Sequence, residues 1–223
     1  MLISPAAYYS ELKIRYSLGY RIIAMLKRLF DIFFSGLGLL ILSPFFLVVA
    51  LIIKFTSPGP VFYRGVRVGK DFKEFKIYKF RSMVANAEKI GGPSTREGDP
   101  RITRIGRFLR KYKLDELPQL INVFKGEMSL VGPRPEVPEY AKLYQGEEKI
   151  VYSVKPGITD YASLWDINEA EILKDAKTFE ETEKIYLEKI RPEKVRLQMK
   201  YVKEKSFLTD LKILWRTLLN LIK

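Results

Sequence analysis

Residues 32–53, IFFSGLGLLILSPFFLVVALII, carry no charge across 22 positions, and Ser43-Pro44 stands near the middle. As a straight helix the run would be ~33 Å long, enough to cross the hydrocarbon of a bilayer. Pro44 has no N–H for the carbonyl of Leu40, and its ring presses on that turn, so a bend or break is expected there. The Ser43 hydroxyl can answer the freed carbonyl. The two halves are each ~15–18 Å long, about half a bilayer. The run is expected to remain in the mature chain. It is long, starts some thirty residues in, and is followed by no small-residue signal-peptide cleavage site.

The flanks carry the next constraint. Lys13, Arg15, Arg21, Lys27 and Arg28 precede the run, and Lys54, Arg64, Arg67, Lys70, Lys73, Lys76, Lys79 and Arg81 follow it. Basic residues favour the cytoplasmic side, and here both ends claim it, as a hairpin entering and leaving one face would allow. A proline-kinked spanning helix and a buried core helix remain the alternatives.

At 223 residues the chain suffices for one domain with a core, or a small domain plus a membrane element. Its 39 Lys+Arg against 26 Asp+Glu leave +13, so an anionic partner is expected: phospholipid, nucleic acid or a phosphorylated substrate. With no cysteine and no histidine, disulfides, thiolate or imidazole metal sites and Cys or His catalysis are excluded. Chemistry falls to Asp, Glu, Lys and Tyr, and any metal should be a hard cation held by oxygen.

Residues 58–82 read as a short β-hairpin, with Val61, Tyr63, Phe75 and Ile77 alternating and GKD at the turn. Asp99 is expected to cap a helix with Pro100 at its first position. In RITRIGRFLRKY, Ile102, Ile105, Leu109 and Tyr112 share one face and basic residues crowd the rest. That pattern suits a helix in a membrane interface as well as a soluble surface helix. A further helical unit begins near Asp115 and stops at Gly126, VGPRPEVP is a rigid loop, and KPGITDY a turn-rich connection. Beyond residue 178 the chain reads as helix. Its last segment sets Phe207, Leu208, Leu211, Leu214, Trp215, Leu218 and Leu219 on one side, for core or for lipid.

Three features can carry chemistry. Asp115 and Glu116, adjacent at a helix start, can cap the helix, attack phosphorus or hold a metal, and their side chains diverge by ~100°. Arg134, between two prolines, is aimed as a phosphate or diphosphate would require, although such loops are also structural turns. Lys79 and Arg81 stand one residue apart at a strand end.

The order KRLFDIFF, the Ser-Pro-broken run, SPGPVFYRGVRVG, FKIYKFRSM, DPRITRIGRFLRK, LDELPQLINVFKGEMSLVGPRP, KPGIT and SFLTDLKIL resembles the bacterial sugar transferases known as monotopic phosphoglycosyl transferases. The resemblance runs from about Lys27 to the end. It implies an α+β, mostly helical fold. A re-entrant membrane helix hairpin over residues 27–56 broken at Ser43 and Pro44 would carry a cytoplasmic domain, 57–223, with a short β-hairpin and interfacial amphipathic helices. Residues 1–26 would form an N-terminal extension. The implied reaction transfers a sugar-1-phosphate from a UDP-sugar to polyprenyl phosphate through a covalent aspartyl intermediate, with release of UMP, on the cytoplasmic face of the inner membrane. Asp115 would be the nucleophile, Glu116 its catalytic partner, and both would hold Mg²⁺. Arg134, Lys79, Arg81 and Asp210 would serve substrate binding. UDP-sugar, polyprenyl phosphate and the phospholipid membrane are the expected partners, nucleic acid is not, and a homo-oligomer is compatible. Many relatives follow PGIT with GWAQVNGRN, whereas this chain reads DYASLWDINEAE. A membrane-anchored basic scaffold without catalysis is the rival reading.

Overall fold

The computed structural model describes residues 18–87, 90, 95, 98–165, 172, 173, 176 and 178–222; most of the expected N-terminal extension lies outside them. Helix α1, Leu18–Thr56, holds the whole apolar run. It starts within the tract expected as an extension and stays helical through Pro44 instead of dividing in two. The carbonyl of Leu40, deprived of a proline N–H, accepts the Ser43 hydroxyl at 2.8 Å, which keeps that turn intact.

Both halves of α1 pack on the same body. From the first half, Arg28 donates to the carbonyls of Val123 and Phe124 at 2.6 and 2.8 Å, and Asp31 accepts from Ser129 Oγ and the Leu130 amide at 3.2 and 3.0 Å. From the second, Val49 and Ile53 are buried with Phe80 and Leu109, flanked by Phe45, Phe46, Ile105 and Leu114. Leu40, Ile41, Leu47 and Val48, on the other side, are exposed.

The expected hairpin is present. Strands β1 (Phe62–Tyr63) and β4 (Lys79–Phe80) pair antiparallel, and so do β2 (Val66–Val68) and β3 (Glu74–Lys76), with Arg67 opposite Phe75. A single 3₁₀ turn, Lys70–Phe72, closes the hairpin with Asp71 and Phe72 at φ 56° and 58°.

Helix α2 spans Arg104–Lys111, and Thr103 caps it by accepting from Gly106 N at 3.0 Å. Asp99 does not cap this helix. It accepts from the amide of Arg101 at 2.9 Å and from that residue's guanidinium at 2.7 Å, because an acid two residues before an arginine can close on it in a tight turn. Leu109 is buried, whereas Phe108 and Tyr112 are exposed beside Arg104, Arg107 and Lys111.

After a 3₁₀ turn at Leu114–Glu116, helix α3 (Gln119–Lys125) ends at Gly126, φ 87°. Asn122, fully buried, accepts from the Tyr78 amide and donates to the Lys76 carbonyl, tying α3 to the hairpin. Strands β5 (Ser129–Val131) and β6 (Gly157–Thr159) pair in parallel, a contact that KPGIT as a plain turn did not foretell. A Cβ on Gly157 would lie 2.0 Å from the Gly132 nitrogen, so the two segments approach as closely as they do only without side chains.

Helix α4 (Pro138–Ala141), a 3₁₀ stretch (Gly146–Ser153) and helix α5 (Tyr161–Trp165) complete the middle of the chain. Then come α6 (Phe179–Ile185), a π turn (Tyr186–Ile190), α7 (Arg191–Glu204) with Pro192 in its first turn, and α8 (Phe207–Ile222). In α8 the buried side is Asp210 and Ile213. Phe207, Leu208, Leu211, Trp215, Leu218 and Leu219 face outward. Of the apolar stripe only Leu214 packs on core, against the cluster of Val131, Tyr201, Val202 and Ile213.

Candidate active site

Three segments converge on the acidic pair. The 3₁₀ turn places Asp115 and Glu116, β4 brings Lys79, and the loop after β5 brings Arg134. That loop is pinned to β6, since Gly132 N donates to Thr159 O at 3.0 Å and Gly157 N to Pro133 O at 2.9 Å. Arg134 is thereby held between two fixed φ angles and a second strand.

Glu116 receives Lys79 Nζ at 2.8 Å and Arg134 Nη1 at 3.1 Å, with Arg134 Nη2 closing the second arm of a two-pronged ion pair. Burial raises the carboxyl, but Arg134 and Lys79 more than offset it and hold Glu116 well below the ordinary range. Asp115, 7% exposed, makes no hydrogen bond to a described residue. Burial and then the neighbouring Glu116 carboxylate push it up, against the pull of Lys79, Arg110 and Arg134. Neither acid caps a helix: the residue ahead of the turn is Lys113, left-handed at φ 54°, and no side-chain cap bond is made. Two adjacent carboxylates thus stand in opposite states, one clamped by cations and one without a partner.

No cluster of three or more His, Cys, Asp or Glu occurs among the described residues. Magnesium commonly takes one or two carboxylates completed by substrate phosphates and water; the Asp115 carboxylate, without a hydrogen bond, fits as one such donor, whereas both Glu116 oxygens are taken by Arg134 and Lys79.

Lys79, Glu116 and Arg134, all singled out in the sequence, meet here. Arg81 and Asp210 are engaged elsewhere. Arg81, 6% exposed, donates to the carbonyls of Ser57 and Pro58 at 2.6 Å each, closing the end of α1. Asp210 pairs with Lys27 of α1 and accepts from Tyr201 Oη at 2.8 Å, while Tyr201 also donates to the Val131 carbonyl at 3.1 Å. Asp210 thus braces α1, α7, α8 and β5 together.

Sequence reasoning did not single out Asp160. It caps α5, Oδ1 accepting from Ser163 N and Oγ at 2.7 and 2.9 Å, and Oδ2 is buried without a partner. Burial raises its pKa to about 6, against the lowering effects of Ser163, Arg134 and Lys194. An Asp followed three residues later by Ser, opening DYASLW, was the available signal.

The chain belongs to the family described as bacterial sugar transferase, which matches residues 22–223. It is 40% identical over 200 residues to the UDP-glucose:undecaprenyl-phosphate glucose-1-phosphate transferase of Escherichia coli, covering 86% of this chain and 39% of that one. It is 43% identical over 146 residues to the UDP-N-acetylgalactosamine-undecaprenyl-phosphate N-acetylgalactosaminephosphotransferase of Aeromonas hydrophila, 64% of this chain and 34% of the relative. An exopolysaccharide production protein of Rhizobium leguminosarum is 45% identical over 155 residues, 63% and 74% of the two chains. The first two relatives are thus matched over well under half of their length.

Proposed function

We propose that this chain transfers a sugar-1-phosphate from a UDP-sugar to polyprenyl phosphate in two displacements at one site. The observation that carries the reading is the division between the acids: Glu116 is bound by Lys79 and Arg134, and Asp115 is left without a hydrogen bond. The names of the relatives support the substrate classes.

In the first step an Asp115 carboxylate oxygen attacks the β-phosphorus. The bond from that phosphorus to the α–β bridging oxygen breaks and UMP departs with the electron pair. In the second, a phosphate oxygen of the polyprenyl phosphate attacks the same phosphorus and the Asp115 carboxylate leaves, giving the polyprenyl diphosphate sugar. Charge neutralisation and positioning are what phosphoryl transfer asks of a protein. Lys79, Arg110 and Arg134 stabilise the ionised Asp115 that must attack. Glu116, kept ionised, fixes the Arg134 guanidinium by both its oxygens. Asp115 would hold Mg²⁺ together with the substrate phosphates, with Glu116 joining it only on release from Arg134 and Lys79, and the ion would supply neutralising charge for the diphosphate.

The same reading sets the catalytic body on the cytoplasmic face of the inner membrane, with α1 entering and leaving one leaflet. Basic residues at both ends of α1 and the packing of both halves on one body support it.

Purified full-length chain, given Mg²⁺, polyprenyl phosphate and a panel of UDP-sugars, is expected to release UMP and to yield a phosphosugar adduct on Asp115 by mass spectrometry. Asp115→Asn should reduce UMP release at least about a thousandfold. Turnover that persists in this variant removes the nucleophile assignment. A parent that associates with membrane yet never turns over leaves the scaffold reading.

A further inference from the structure

Helix α7 puts polar side chains where a core-facing helix ordinarily puts apolar ones. Lys194, Gln198 and Tyr201, spaced by four and three residues, share one face of it and are all buried. Tyr201 Oη donates to the Val131 carbonyl at 3.1 Å, Gln198 Nε2 donates to the Arg134 carbonyl at 3.4 Å, and the Lys194 charge acts on Glu136. Successive turns of α7 thus attend to positions 131, 134 and 136, the strand end and loop that carry the arginine of the acidic pair. Burying such groups is costly unless they are bonded, and here the bonds go to that one segment.

The loop needs donors from outside itself. Pro133 and Pro135 bring no N–H, so the segment cannot close a ladder of its own. The carbonyls of Pro133 and Glu136 are met by the amides of Gly157 and Val68, both at 2.9 Å. The Arg134 carbonyl is met by a side chain, that of Gln198.

Gln198 is itself oriented from behind. Tyr144, buried in one cluster with Val68, Val151, Tyr152 and Val195, donates its hydroxyl to Gln198 Oε1 at 3.0 Å. Burial, then the Glu136 carboxylate, pushes the pKa of that phenol up, so it stays protonated and donates. A carbonyl can only accept. The Gln198 amide therefore has one orientation that suits both neighbours, oxygen to Tyr144 and nitrogen to Arg134. An unbroken chain of hydrogen bonds runs from the core to the main chain of the residue that holds Glu116 by two nitrogens.

Resting on the transferase reading, we propose that Gln198, oriented by Tyr144, is a positioning residue for Arg134: it sets the main chain from which the guanidinium reaches Glu116. A two-pronged ion pair tolerates little displacement of its base, because both N–H···O lines must hold at once, whereas an ammonium on a flexible stem takes up the slack. At 3.4 Å the Gln198 bond is at the long end of the range, and such bonds commonly shorten once substrate draws the reacting groups together.

The test is a double-mutant cycle on UMP release by the full chain in lipid nanodiscs, with Mg²⁺, polyprenyl phosphate and the UDP-sugar that the parent turns over fastest. Gln198→Met keeps the length of the side chain and drops both bonds. It should lower kcat roughly 5- to 50-fold, within what an ångström of misplacement costs, with each KM changed less than about twofold. In an Arg134→Lys background the same change should cost less than about twofold, because the fork it positions is gone. Tyr144→Phe, which leaves its ring in the core, should lower kcat about two- to fivefold and lose that effect in the Arg134→Lys background as well. It decides the matter if Gln198→Met fails to fold. Equal losses with and without Arg134→Lys, or parent-like kcat in both Gln198→Met and Tyr144→Phe, overturn the positioning role and leave the transferase standing. A parent that neither releases UMP nor forms the Asp115 adduct overturns the transferase, and the role of Gln198 falls with it.

Discussion

Arg134 holds Glu116 by two nitrogens and Lys79 holds it by one, and that asymmetry makes the arginine the harder residue to replace. Lysine keeps the charge and loses the fork. Arg134→Lys should therefore fold as the parent does and lose about 10- to 100-fold in kcat, read as UMP release. Asp160 makes a different prediction. Its folded pKa, about 6, lies above the value near 4 expected unfolded. Below pH 4 the carboxyl is protonated in both states and carries no penalty; as pH rises through 6 the buried group must ionise and stability falls. At pH 7 the penalty is ~3 kcal/mol. Asp160→Asn should raise the melting temperature at pH 7, and its advantage should shrink as pH is lowered toward 4. At this scale the sequence showed the adjacency of Asp115 and Glu116, whereas the clamp that sets them apart comes from Lys79 and Arg134, 37 and 18 residues from Glu116. Arg81 shows the limit: KFR spacing reveals two cations near one strand end, yet not that the second reaches back to carbonyls more than twenty residues earlier.

Among elements, periodicity located the hairpin and the helices, and it erred at their ends. Asp99-Pro100 has the composition of a helix start, but Thr103 sits closer to the first buried turn and takes the cap, leaving Asp99 for Arg101. The pair β5–β6 was not legible because each strand is three residues long and the contact depends on Gly132 and Gly157 meeting across 24 intervening positions. In α8 the period is as read, and the structure turns the stripe outward because Asp210 and Ile213 occupy the inner side. Replacing Leu208, Leu211 and Trp215 with serine should thus spare the fold and lower partition onto lipid vesicles, measured by flotation. In α1, Ser43→Ala leaves the Leu40 carbonyl without its partner beside apolar surface, and should lower stability by ~1 kcal/mol in detergent melts.

For the whole molecule, the charge pattern and the packing of both halves of α1 on one body make topology the measurement of choice. Tags at residues 1 and 223 should be labelled from the same side of the membrane; labelling from opposite sides replaces re-entry with a spanning helix. The hold on α1 also reaches the acidic pair by a short route. Lys79 grips Glu116, and two residues along the chain Arg81 grips the carbonyls where α1 ends. So short a link has little slack: a tilt of α1 in a thinner or thicker bilayer shifts the ammonium against its carboxylate. Turnover in vesicles of graded acyl-chain length should therefore pass through an optimum, and Arg81→Met, which cuts the tie between the end of α1 and β4, should flatten it.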